Sequence, residues 1–200
     1  MPICFILFVG TTLAIHIMMR KNKVDLKKDI EDVMEKEMQA NMTRKRDVED
    51  KFYIKPDVDI LPIKNYEETD KNKKIINIQN KILKKSKLPM LRFDEQISNT
   101  DLKLKYGFSN LDKITIYEEH YNSYMKELVS WAEMLLQEDN TTDAEIILNE
   151  ALRLKCDLSK AYILLIDIYK KNNRNEKLSS LRELVENSEL SLKSKILKNF

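Results

Sequence analysis

The sequence predicts an all-α protein, and three observations predict it. Only two of its 200 residues are glycine and four are proline, while Lys, Glu, Leu, Ile and Asn dominate, which suits helices and starves hairpin turns. Apolar residues recur at helical spacing through most of the chain. The C-terminal half also matches itself at a spacing of about 34 residues, a length that fits a pair of helices joined by a turn. The expected order is a transmembrane helix over residues 2–19, an amphipathic juxtamembrane helix over 20–50, a connector with a basic helix over 51–98, and a helical domain over 99–200.

The span is the uncharged stretch from Pro2 to Met19, PICFILFVGTTLAIHIMM, which as a helix reaches about 27 Å, enough for a bilayer core. Its strongly apolar residues favour insertion by roughly 3 to 5 kcal/mol against one histidine near the end. No basic region precedes it and no A-x-A-like site follows it, so it reads as an uncleaved anchor and not as a signal peptide. Arg20, Lys21, Lys23, Lys27 and Lys28 follow it, an asymmetry that places the C-terminal side in the cytoplasm, at the cell membrane. His16 lies one turn from that flank and reads as a headgroup contact. Gly10 and Ala14 form a small-xxx-small pair through which two spans could meet.

Next, Leu26, Ile30, Val33, Met34 and Met38 form the apolar stripe of a stalk helix over Val24–Met42. The stripe has two readings, pairing with a second copy as a homodimer or packing on its own domain. Pro56 and Pro62 forbid a helix through Phe52–Lys64, which reads as an extended connector along the domain surface. The lysines between 71 and 87 surround Ile75, Ile76, Ile78, Ile82 and Leu83 and read as a solvated face over a buried stripe, ahead of a membrane or nucleic-acid contact. In NTDLKLKYG, Asn99 or Thr100 is expected to start a helix and Gly107 to stop it in a left-handed conformation.

At the 34-residue spacing Leu128, Trp131 and Leu135 align with Tyr162, Leu165 and Tyr169. Ala132 and Ala144 stand where two helices approach closely, and Leu148 and Ala151 continue the packed face. At Leu128, Trp131, Ala132, Leu135, Ala144, Leu148 and Ala151 the chain resembles the tetratricopeptide-repeat family, over about residues 125–186. The second copy departs from that pattern, with Ile166 and Leu178 at small positions and Arg182 at a large apolar one. The usual proline between the copies is replaced by Lys155, Cys156 and Asp157. Because fewer than about three units seldom bury enough surface, Leu111–Tyr124 and Ser188–Lys198 are expected to complete the core, the latter through Leu190, Leu192, Ile196 and Leu197. The resemblance implies a small α-α superhelical domain and a concave peptide-binding face. On this chain that face would comprise Lys126, Val129, Glu133 and Leu136, then Lys160, Ile163, Asp167 and Lys170. With ANMTRKRDV, NTDLKLKYG and the terminal repeat behind a short span, the layout is also similar to small membrane proteins of Gram-positive bacteria, a likeness that implies no activity.

Glycine at positions 10 and 107 alone permits neither a dinucleotide fingerprint nor a phosphate loop nor a nucleophile elbow. Two isolated histidines and two distant cysteines, Cys4 and Cys156, give no metal spacing and no disulfide framework. A net charge of +2 gives no field for nucleic acid. The expectation is a non-enzymatic, membrane-anchored interaction module for a protein or peptide partner, without cofactor or metal. The alternative is a structural or assembly subunit of a membrane protein complex.

Overall fold

A computed structural model describes His16, Met18, Met19, residues 26–69 and residues 72–200. Apart from His16, Met18 and Met19, the expected span over 2–19 lies outside the described residues, as do Cys4, Gly10 and Ala14. Among the described residues no helix is long and apolar enough to cross a membrane. These residues are mostly helical with almost no strand, as the composition predicts. The helices are α1 (residues 26–42), α2 (Lys73–Lys85), α3 (Asn99–Tyr106), α4 (Leu111–Gln137), α5 (Thr141–Arg153), α6 (Ser159–Lys171), α7 (Asn175–Glu186) and α8 (Lys193–Leu197). They are distributed over two compact units, one formed by the described residues up to Val48 with Glu95–Lys113, the other by Glu49–Asp94 with Ile114–Phe200.

In the first unit the C-terminal half of α1 packs on α3. The Glu37 carboxylate accepts the Thr100 hydroxyl at 2.8 Å and pairs with Lys103, Lys36 pairs with Asp101 at 2.9 Å, and Ala40 is buried. The α3 cap lies one residue before the expected start: Ser98 Oγ accepts the Asp101 N–H at 3.1 Å. Gly107 stops α3 at φ +86°, as the sequence predicts, and a Cβ there would meet the Arg44 carbonyl oxygen at 2.7 Å. The chain at 44–46 is seated against this corner, with Arg46 N–H donating to the Tyr106 carbonyl at 2.9 Å and the Asn110 amide to the Arg46 carbonyl at 2.6 Å. Delivering Arg46 to that place requires the chain to leave the helix, which α1 does after residue 42. The stripe of α1 stays open to solvent at Leu26, Ile30, Val33, Met34, Met38 and Met42.

In the second unit α4, α5, α6 and α7 follow one another through short turns around a single core. Leu128, Trp131, Ala132, Leu135, Ala144, Leu148 and Ala151 are all buried in it. The stretch expected to act as a connector supplies part of the same core: Ile75, Ile78 and Ile82 of α2 lie inside it, with Leu61 and Met90. Its lysine face is solvated, as the sequence predicts for the positions outside that stripe, although Lys85 reaches α4 to meet Ser123 at 2.7 Å and Glu127 at 2.8 Å. A two-residue antiparallel ladder that periodicity does not foretell joins β1 (Tyr53–Ile54) to β2 (Met90–Leu91), shortly ahead of Pro56 and directly after Pro89. The terminal segment caps the unit through buried Ile196 and partly buried Leu190, Leu197 and Phe200, while Leu192 faces solvent. Asp157 takes the Ser191 N–H at 3.1 Å, and Lys170 donates to the Asn199 carbonyl at 2.6 Å, so residues 191–199 run the length of α6.

Three helices end alike without glycine. Asp139, Lys155 and Asn173 have φ of 57°, 61° and 53°. After each, the next N–H reaches back five residues, Asn140 to Leu135 at 2.8 Å, Cys156 to Ala151 at 3.0 Å and Arg174 to Tyr169 at 2.9 Å. This is the Schellman closure, and Asp139 and Asn173 stand 34 residues apart. Lys155 thus performs the stop expected of the missing proline. Two tyrosines then hold the α5–α6 turn: Tyr121 donates to the Leu154 and Lys155 carbonyls at 3.0 and 2.8 Å, and Tyr162 to the Cys156 carbonyl at 2.8 Å. By contrast, the buried Tyr124 hydroxyl and Trp131 indole N–H have no hydrogen-bond partner.

Two outcomes follow for chemical or thermal denaturation of the chain. Asn173→Val, at an exposed site, destabilises by about 1–2 kcal/mol because a branched side chain resists the left-handed region, whereas Asn173→Gly does not destabilise. Tyr121→Phe costs about 1–2 kcal/mol by leaving two turn carbonyls short of a donor, while Tyr124→Phe is neutral or stabilising because the lost hydroxyl is unpaired. Equal losses for the two tyrosines would contradict these hydrogen-bond assignments.

Candidate interaction face

The face is built on α4 and α6, which contribute buried residues, Ala132 and Ala161 among them, to one core. Lys126 is exposed on α4 and Asp167 on α6. Glu133 and Lys160 form an ion pair that joins the two helices, bringing together two of the eight positions expected to bind a partner. Lys170 is exposed at its stem but committed to the Asn199 carbonyl. Ile163 is half-buried, and Leu136 packs partly against the core. Val129 is only 3% exposed and belongs to the core, so it is not part of the outward surface. The reason is its place one residue after Leu128, within the arc that α4 buries. What the face offers outward is therefore mixed charge over a narrow apolar floor.

Two polar devices on α5 escaped the sequence reading. The first is Glu145, nearly buried, which receives Arg174 at 2.5 Å and Lys177 at 2.6 Å from the neighbourhood of α7. Burial pushes its pKa up, but the hydrogen bonds from Lys177 and Arg174 outweigh burial and hold the carboxyl below the usual glutamate range. The second is Glu150, whose side chain has no exposed surface. It is clamped by Arg153 at 2.5 and 2.7 Å and accepts the Asp57 N–H at 3.2 Å. The signal for both was present: acidic residues adjoin Ala144, Leu148 and Ala151, inside an apolar stripe where an unpaired carboxylate could not stand.

The residues between Lys55 and Lys64 form a strap along α5. Arg153 Nη2 donates to the Lys55 carbonyl at 3.4 Å, Glu150 holds Asp57, and Lys64 pairs with Asp143. On the other side the Gln79 amide of α2, oriented by its partners, donates to the Lys64 carbonyl at 3.0 Å and accepts the Lys64 N–H at 3.2 Å. Leu61 is the strap's one buried side chain.

Chemically, the described residues bring together charge pairs and backbone-binding side chains. No group of three or more His, Cys, Asp or Glu among them is placed to hold a metal ion. His120 Nδ1 lies 2.9 Å from the Pro89 carbonyl oxygen and its ring stacks beside Tyr117, a local structural role. Cys156 is buried, and burial pushes its thiol up to about 11, away from reactivity. No family model matches the chain, and no curated protein and no solved structure matches it.

Glu145 makes acid stability testable. Its folded pKa is depressed, so its contribution is complete above the unfolded value near 4.5 and is lost as pH falls through the lower folded value. Denaturant titrations from pH 7 downward should show Glu145→Gln less stable than the wild type at neutral pH and flatter below pH 4.5. Parallel profiles would place the acid sensitivity elsewhere.

Proposed function

We propose that the chain is a non-catalytic interaction module, anchored in the membrane by residues 2–19, that presents the α4–α6 face to a protein or peptide partner on the cytoplasmic side. The observation that carries this reading is the repeated turn. Asp139 and Asn173 close two successive helix pairs in the same way at the 34-residue spacing, and the seven tetratricopeptide-like positions of the first pair are buried. A scaffold of this kind spends its apolar residues on stacking and leaves outward positions free to vary with the ligand. The anchor rests on the uncharged stretch Pro2–Met19 and its basic flank.

A second reading, an assembly subunit of a membrane complex, is favoured by one observation of its own. The open stripe of α1, from Leu26 to Met42, is a larger apolar surface than the α4–α6 face offers. The two readings place the partner contact on different elements. Lys126→Glu with Asp167→Lys alters only exposed side chains, so the melting temperature should barely move, with a stability change of about 0.5 kcal/mol. Quantitative co-purification from gentle detergent should lose the partner if the α4–α6 face binds it. Capture that survives this reversal but fails when Ile30, Val33 and Met34 become Ser assigns the contact to α1 and overturns the module.

A further inference from the structure

We infer that the groove between α5 and α2 is a second peptide-binding site, that residues 55–64 are its resident occupant, and that it takes a partner segment with an apolar anchor followed three residues later by lysine. The evidence is the way the strap is held. Four contacts reach it from α5 and α2, and three of them go to its main chain: Arg153 to the Lys55 carbonyl, Glu150 to the Asp57 N–H, and Gln79 to both the N–H and the carbonyl of Lys64. Side chains that read main chain accept any sequence of the right shape, which is how extended peptides are recognised.

Two contacts add selectivity. Leu61 is the sole buried side chain of the strap, and the Lys64 ammonium meets Asp143, which is itself mostly buried. Pro56 and Pro62 stiffen the occupant without costing it a bond, since none of these contacts needs their missing N–H groups. The rest of the strap is exposed or half-exposed, and Asp59 bonds only to the neighbouring Asp57 carboxylate at 3.2 Å. Opening it uncovers Leu61 and the packed part of Ile63, fewer apolar side chains than α5 buries through Ala144, Ile147, Leu148 and Ala151, so the strap can open without opening α5. The strap is then an internal competitor, and the apparent affinity for an outside peptide is reduced by the fraction of molecules in which the groove is open.

This site is separate from the α4–α6 face and shares with the proposed function only the class of partner. The probe is a fluorescent synthetic peptide spanning residues 53–66, titrated onto the full chain in detergent. Leu61→Ala with Lys64→Ala weakens the resident strap, and this variant should bind the peptide about tenfold or more tighter than the wild type. Adding Gln79→Ala with Asp143→Ala should return binding to the wild-type level, while Lys126→Glu with Asp167→Lys should leave it unchanged. Absence of binding to the folded, strap-weakened variant overturns the proposal, as does binding that ignores Gln79 and Asp143. Should that variant lose its helical circular dichroism, hydrogen exchange on the wild type decides. Asp57 and Lys64 amides should exchange well before Leu148 and Ala151, and simultaneous exchange overturns the proposal.

Discussion

The second unit depends on how near its helices can come. Ala132, Ala144, Ala151 and Ala161 have no exposed surface and belong to one core, where a larger side chain would overpack its neighbours. With the axes drawn close, Leu128, Trp131, Leu135 and Leu148 fill the space beside the alanines. The burial of those large residues is the main favourable term, at about 1.5–3 kcal/mol each. Everything the outer surface does follows from this arrangement, because it decides which positions of α4 and α6 turn outward and which, like Val129, turn in.

Close helices need short turns, and here the chain makes them from ordinary residues. A left-handed residue costs about 1–2 kcal/mol when it is not glycine, and the described residues of the unit include three. Asp and Asn soften that cost at two of them. Lys155 has no such help, and its turn is the one held by the hydroxyls of Tyr121 and Tyr162. Strain and reinforcement thus fall at the same place. The unpaired Tyr124 hydroxyl and Trp131 N–H show that the core tolerates some polar cost elsewhere.

Much of this architecture was legible because it rests on short-range rules. Helical periodicity located α1 and α2, two prolines forbade a helix at 55–64, and Gly107 announced the end of α3, whereas Leu111–Tyr124, read as a helix ahead of the repeat, is continuous with the repeat's first helix in α4. The 34-residue self-match located the two helix pairs without reference to their turns. What escaped was long-range pairing. Nothing near Glu150 in sequence names Asp57, and nothing near Glu145 names Arg174 and Lys177, although an acid within an apolar stripe signals that some partner must exist. The ladder at Tyr53–Ile54 is too short to leave a period-two pattern, and the left-handed residues are hidden because Asp, Lys and Asn carry no obligatory turn signal. Of the eight positions read as a binding face, Val129 failed as an outward residue for a geometric reason: an alternation taken from a repeat consensus does not register how far a given helix is rolled into its core.

The buried thiol of Cys156 has a consequence for watching this molecule work. It sits at the closing residue of the α5–α6 turn, its N–H tied to Ala151 and its carbonyl to Tyr162. Buried and with its ionisation pushed up to about 11, it is shielded from alkylating reagents while the turn is shut. Any labelling at that position therefore times the opening of the seam between the two helix pairs, and it does so in the unmodified chain, with no engineered probe to disturb the packing it reports on.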